Sequence, residues 1–288
     1  TVYYDDSELG YAVGLQKIDN NTYLFSESNG EMLTGYRYYN DTMYYFNPQT
    51  GASISIIYEI PSGDRYYIKE GGGIYYGLQE IDGKKYYFWP TSGKEVVGLQ
   101  SIGDKLYYFD KEQGMLKDTT VVVGGLTYIL DSNGVASIKD DSKVAQMIRT
   151  GMEYLGQPYK EELEDGDMLS CSGYVRLMYN SVGYDNIGDS SFQQWWNPTQ
   201  NSNYTIIESL DEARAGDILF YVNLNCTYGE ECGFWNEIHH VGIYLGEGKT
   251  IEAASYSSEE HPELDCMMVD DVSVDGDIML YAIVRAVN

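Results

Sequence analysis

GLQEIDGKKYYFWPTSGKEVV, residues 77–97, decides the fold of the first half of this chain. Asp82-Gly83 is a two-residue turn signal between a short run and the aromatic pair Tyr86-Tyr87. Strand, two-residue turn, strand is a β-hairpin. A second turn is centred on Gly93. The same pattern starts at Gly14 (GLQKIDNNTYLFSESNGEMLT), Gly35 (GYRYYNDTMYYFNPQTGASIS) and Gly98 (GLQSIGDKLYYFDKEQGMLKD), so the starts are 21 or 42 residues apart. Units at Ile56 and Thr119 keep the period without the leading Gly, and a partial unit, VYYDDSELGYAV, precedes them all. The equivalent aromatic pairs are Tyr44-Tyr45, Tyr66-Tyr67 and Tyr107-Tyr108, and a second Gly-centred turn recurs at Gly30, Gly51, Gly114 and Gly134. One such hairpin cannot bury its own face, whereas stacked neighbours share a continuous core. The expectation is an all-β hairpin-repeat solenoid over residues 1–139, with about six 21-residue repeats plus a partial one.

Composition agrees with two unlike halves. Nineteen of the 30 tyrosines precede residue 140, and 288 residues suit about two domains. A hydrophobic content of 43% is enough for two cores and argues against disorder. The charge is −27, from 45 acids against 18 Lys and Arg. That excludes a phosphate-reading nucleic-acid partner and electrostatic attachment to anionic lipid. No run of 18 apolar residues marks a membrane span. The chain opens on Thr1 without a signal-type segment, which reads as a mature or trimmed piece. All four cysteines (Cys171, Cys226, Cys232, Cys266) lie in the second half. Cys226 and Cys232 close the short loop NCTYGEEC and are expected to be bridged in an oxidising exterior.

Tyrosine density drops near Ser137 to Asp141, and a helix follows. Ser142 can cap it, Val144, Met147, Ile148, Met152 and Leu155 recur at helical spacing, and Gly156 and Pro158 stop it. In MLSCSGYVRLMYNSVG, Val175, Leu177 and Met178 predict a second helix that places Cys171 at its start. The free N–H groups and positive dipole end there favour a thiolate. LDEARAGDILFYV turns at Gly216-Asp217 into a strand. EIHHVGIYLGEGKTIEAAS predicts a strand over Val241 to Leu245, a turn at Gly246 to Gly248, and a second strand through Ile251. His239 and His240 enter the first strand and Glu252 lies on the second. IMLYAIVRAV closes with another strand. Residues 140–288 are thus expected to be an α+β domain with an antiparallel sheet.

A Cys at a helix start and a distant His on a strand are the parts a thiol peptidase needs. The His takes the thiol proton and later gives it to the leaving amine, and a third group fixes the ring. Spacing alone does not carry this, since a single Cys is more often a small buried hydrophobe. The ordered series Pro158-Tyr159, CSGYV, AGDILFY and HVGIYLG is more specific. It resembles the NlpC-type cell-wall peptidases, a papain-like family, over residues 142–288. The resemblance implies Cys171 as nucleophile, His240 as base and Glu252 in the third position, where the family usually carries His, Asn or Gln. It also implies substrate contacts at Tyr159, Ser170 and Ser172. Ser170 stands where the family commonly has Asp, and Asp189 where it has Arg. His239 should face away from His240, and His261 lies outside the pattern. No metal or other cofactor is implied.

The first half resembles the cell-wall-binding repeats of choline-binding, glucan-binding and clostridial toxin proteins. Choline-type repeats place Trp at the second position and in the aromatic pair. Here the second position holds Leu15, Tyr36, Leu78 and Leu99, so glycan fits better than choline, or the tyrosines only pack. Together the resemblances imply a secreted, wall-associated hydrolase. Its repeats would hold a wall glycan or teichoic polymer while a Cys-His-Glu site cuts a peptide or amide bond of the peptidoglycan stems. A different papain-like amidase and a binding-only protein with a degenerate peptidase domain remain open.

Overall fold

The computed structural model describes residues 10–160, 170–184, 187–200, 204–223, 238–256, 259–274 and 278–286. Cys226 and Cys232, with the bridge expected between them, lie outside these residues, as do 161–169 and most of the acidic insertion before His239.

The repeats are antiparallel hairpins: Gly14–Ile18 with Asn21–Phe25, Gly35–Tyr39 with Thr42–Phe46, Ile56–Glu59 with Arg65–Ile68, Gly77–Ile81 with Lys84–Phe88, Gly98–Ile102 with Lys105–Asp110, and Thr119–Val123 with Leu126–Leu130. Asp82 and Gly83 both have positive φ (51° and 76°), as a type I′ turn requires, and Asn40-Asp41 repeats this at 47° and 56°. The period's leading glycine has its own cause. Gly14, Gly35, Gly77 and Gly98 open their strands at φ between 66° and 86°, a conformation most side chains avoid.

Contact density divides the chain into two compact units, Thr1–Val96 and Val97–Asn288. In the first, consecutive repeats are tied by backbone hydrogen bonds from Ser53 to Thr22, Gly73 to Met43 and Glu95 to Arg65, each 2.7 Å long. Aromatic contacts add to them: Tyr36 meets Tyr45 and Tyr58 at ring centroid distances of 4.7 and 4.6 Å. Arg65 and Glu95 form a buried ion pair at 2.9 Å.

The second unit begins earlier than the expected boundary at residue 139. Leu99, Leu106, Val123, Leu126, Tyr128 and Leu130 share one buried cluster with Ile148, Val175, Ile243, Ile251 and Val269. The last two hairpins are therefore built into the same core as the α+β part. The described residues of that part include the α-helices α1 (Lys143–Met152), α2 (Cys171–Asn180) and α3 (Ser191–Thr199). Its sheet has six strands, labelled β1 (Tyr204–Ile207), β2 (Ile218–Asn223), β3 (Ile238–Gly246), β4 (Lys249–Ala253), β5 (Met267–Asp271) and β6 (Ile278–Ala286). The spatial order is β1-β6-β2-β3-β4-β5, and every described pairing is antiparallel.

Both faces of the sheet are covered near the middle. Ile218, Phe220, Ile243, Ile251 and Val269 enter the main core with the helices. Leu219, Tyr221, Tyr244 and Ile283 alternate into a second cluster. The edge strand β5 would leave backbone groups unpaired. The repeat hairpin covers them, since Gln100 Nε2 donates to the Val269 carbonyl at 2.9 Å and the Val269 N–H donates to Ser101 Oγ at 2.8 Å.

Helix α1 is capped as expected, with Ser142 accepting from the Ala145 N–H, but it ends at Met152, so Leu155 packs from the following turn. Helix α3 and strands β1 and β5 have no counterpart in the sequence reading.

Candidate active site

Cys171 is the first helical residue of α2. Ser170 has extended backbone (φ −90°, ψ 168°) and its side chain accepts from the Gly173 N–H, a cap worth about 1 kcal/mol. The helix is held at several points along its length. Tyr174 donates to the Gly151 carbonyl of α1 at 2.5 Å, and Tyr179 donates to the Gly216 carbonyl at 2.7 Å. Cys171 is thereby fixed where the first turn's N–H groups point.

His240 reaches Cys171 from the start of β3. The ladder to β2 pairs Tyr221 with His240 but Val222 with Ile238, so His239 is the extra residue of a bulge. Bulges bend a strand and re-aim its side chains. Ser191 of α3 donates to the Ile238 carbonyl at 3.0 Å and steadies this bend. The Tyr221 ring lies 5.5 Å from the His240 ring, centroid to centroid.

Glu252, on the neighbouring strand, completes a row. Its Oε1 stands 3.2 Å from His240 Nε2, with the side chains 10% and 20% exposed. The approach lies off the line of an ideal hydrogen bond, so the contact is chiefly electrostatic. Cys171 is the other group whose proximity favours the charged ring. Burial opposes the imidazolium, but the Glu252 charge and the nearness of Cys171 outweigh it. They hold the His240 pKa well above its ordinary value.

Gly242 makes the row possible. A Cβ built there would stand 2.5 Å from Thr250 Oγ1, 3.1 Å from Glu252 Oε2 and 3.2 Å from Glu252 Cβ. The Glu252 side chain thus lies across a bare backbone on its way to His240. Gly242→Ala is expected to push the carboxylate off this path. Activity should fall at least tenfold, the rate equivalent of about 1.4 kcal/mol, while circular dichroism stays unchanged.

The sequence-expected substrate residues fare differently. Ser170 is spent as the cap, and Ser172, 7% exposed, donates to the Asp189 carbonyl at 3.3 Å. Both hydroxyls therefore support the helix rather than face a ligand. Tyr159 is half-buried against the main core, its N–H bonded to the Asp265 carbonyl at 2.9 Å. Asp189 pairs with Arg176 of α2. His261 sits apart, its Nδ1 3.0 Å from Glu263. Cys266 is also a free thiol, but burial pushes it up to about 11 and it donates to the Glu263 carbonyl.

Tyr221, Gly242, Tyr256 and Asp270 escaped the sequence reading. Gly242 was legible, since alternation puts it on the His240 side of β3 two residues on. Asp270, in MMVDDV, carried no signal that separates it from a solvated acid.

Residues 156–271 match the NlpC/P60 family. Residues 12–55 match a choline-binding repeat, so the chain carries such a repeat followed by an NlpC/P60 domain. The gamma-D-glutamyl-L-lysine dipeptidyl-peptidase of Bacillus subtilis is 30% identical over 146 residues, covering 50% of this chain and 42% of that protein. A probable endopeptidase p60 of Listeria grayi is 30% identical over 121 residues, 42% of this chain and 20% of that protein. The chain therefore spans less than half the length of these relatives. A crystal structure of choline binding protein F from Streptococcus pneumoniae matches at 26% identity with a TM-score of 0.36, covering 47% of this chain and 48% of that one.

Proposed function

We propose that this chain is a cell-wall hydrolase that cleaves a peptide or amide bond of peptidoglycan with Cys171, His240 and Glu252. The observation that carries the proposal is the His240–Glu252 pair at 3.2 Å, with Cys171 at the helix start as the thiol that influences the ring, inside an NlpC/P60 domain. His240 takes the Cys171 proton, and the thiolate attacks the scissile carbonyl. The carbonyl collapses to a thioester as the imidazolium delivers its proton to the leaving amine. Water, deprotonated by His240, then frees the acid and restores the thiol. Glu252 holds the ring and favours its charged form. The kinship with a dipeptidyl-peptidase and an endopeptidase points to the peptide stems as substrate.

In this reading the repeats stack as a solenoid and hold the protein on a wall glycan or teichoic polymer outside the cell. Attachment raises the local concentration of enzyme at its substrate. Mass spectrometry of muropeptides released from purified walls tests the activity. Sedimentation of the Cys171→Ala chain with walls tests the attachment. A protein that sediments but releases nothing is a binder, and the hydrolase reading fails.

Glu252 also sets a pH dependence. A carboxylate beside the ring stabilises imidazolium, so its removal lowers the His240 pKa. Glu252→Gln should keep the shape but lose the charge, and so draw the alkaline limb of kcat/KM to lower pH. Glu252→Ala should lose more activity at every pH. Full activity in Glu252→Ala would remove this carboxylate from the site.

A further inference from the structure

Glu252 is the middle member of a row that crosses three strands. β4 lies between β3 and β5, so Glu252 has His240 on one side and β5 on the other. Across that second seam Glu252 pairs with Met268, and Thr250 pairs with Asp270. Glu252 and Asp270 are therefore diagonal neighbours on one face, within mutual reach. The Asp270 carboxyl is hydrogen-bonded to the Tyr256 hydroxyl, and the Tyr256 N–H is fixed by Asp265 Oδ1 at 2.6 Å. Among the described residues Asp270 has no cationic partner, since Lys249 pairs with Asp271 instead, at 2.6 Å. Two carboxyl groups thus neighbour each other, one of them beside the imidazole. A shielded patch of this kind does not favour two anions against one cation.

We propose that Asp270, held by Tyr256, is a positioning residue for Glu252. This rests on the reading of Cys171 and His240 as the reacting pair. The imidazolium attracts the Glu252 carboxylate from the β3 side, and the Asp270 carboxyl repels it from the β5 side. One favourable direction remains, over Gly242 towards Nε2. Tyr256 keeps Asp270 in place in either protonation state, because a phenol donates to a carboxylate and accepts from a carboxylic acid. The groups facing Asp270 are Glu252 from β4, Tyr256 beyond β4, Asp271 on its own strand and Tyr221 from β2. Burial and the Glu252 charge push Asp270 up to about 7.

Asp270→Asn keeps the shape and removes the charge. NMR titration of the three histidines in the full chain, with His240→Ala for assignment, reads the effect without turnover. The His240 midpoint should move down in Asp270→Asn, Asp270→Glu should restore part of the shift, and His261 should titrate as before. In the hydrolysis assay kcat should fall with KM little changed. Identical His240 titrations in wild type and Asp270→Asn overturn the proposal. A shifted midpoint in a chain that cleaves nothing supports the coupling and rejects the hydrolase reading instead. Tyr256→Phe carries the test if Asp270→Asn fails to fold. It removes a partner that lowers the Asp270 pKa, so the inflection transmitted to His240 should move to higher pH. An unmoved inflection overturns the proposal.

Discussion

Cys171→Ala and His240→Ala are each expected to abolish muropeptide release, by about 10⁴-fold or more, while leaving unfolding midpoints close to wild type. The magnitude follows from roles that the geometry makes interdependent. Sulfur without the ring has no acceptor for its proton, and the ring without sulfur has nothing to activate. The double variant should therefore be no worse than either single one. Alkylation separates the thiols independently of turnover. Cys266, held near 11 by burial, is almost wholly protonated at neutral pH and should react slowly with iodoacetamide. Cys171, at a helix start and coupled to a ring whose pKa is raised, should react first, and His240→Ala should remove that advantage. Residual cleavage by Cys171→Ala would place the chemistry elsewhere. Slow alkylation of Cys171 together with no cleavage would favour a protein that binds walls without cutting them.

Much of this architecture is written locally. The type I′ turns follow from Asn-Asp and Asp-Gly, and the period follows from glycines at positive φ. The Cys171 helix start, the His240 strand and the Glu252 partner strand lie in contiguous motifs, and all three were legible. The unit boundary was not. GLQEI at 77–81 and GLQSI at 98–102 differ by one residue, yet the first alternates between half-buried and exposed over its first four positions while the second is buried over the same four. The difference comes from what packs against them, namely strand β5 in the second case. A repeat pattern describes each hairpin's own face and says nothing about a partner far along the chain. Asp270 was hidden for a related reason. An acid in a strand is ordinarily solvated, and only the β4–β5 register brings this one beside Glu252.

The attachment of the last repeat to the core of the α+β part predicts a second large effect. Gly124, in the turn of the final hairpin, lies against β3. A Cβ there would stand 2.1 Å from the Leu245 carbonyl oxygen and 2.8 Å from Ala215 Cβ, and one on Gly246 would stand 2.4 Å from the Gly124 nitrogen. Two backbones therefore touch, and neither is a flexible side-chain end that can swing aside. Gly124→Ala combines this overlap with a φ of 58°, and about 3 kcal/mol or more should be lost. Gly125→Ala is the internal control, since its φ is 86° but its Cβ would meet nothing within 4 Å, so only about 1 kcal/mol is expected. Denaturant unfolding of the full chain measures both. A loss of that size is a large part of a domain's total of about 5–15 kcal/mol, and the transition it lowers should be the one in which peptidase activity disappears. Leu245 lies on the strand that carries His240, so a hairpin forced off β3 disturbs the frame that holds the imidazole. Equal losses from the two alanines would mean that the hairpin and the strand are not in backbone contact. An activity transition unmoved by Gly124→Ala would restore the repeats as a separate domain ending near residue 139.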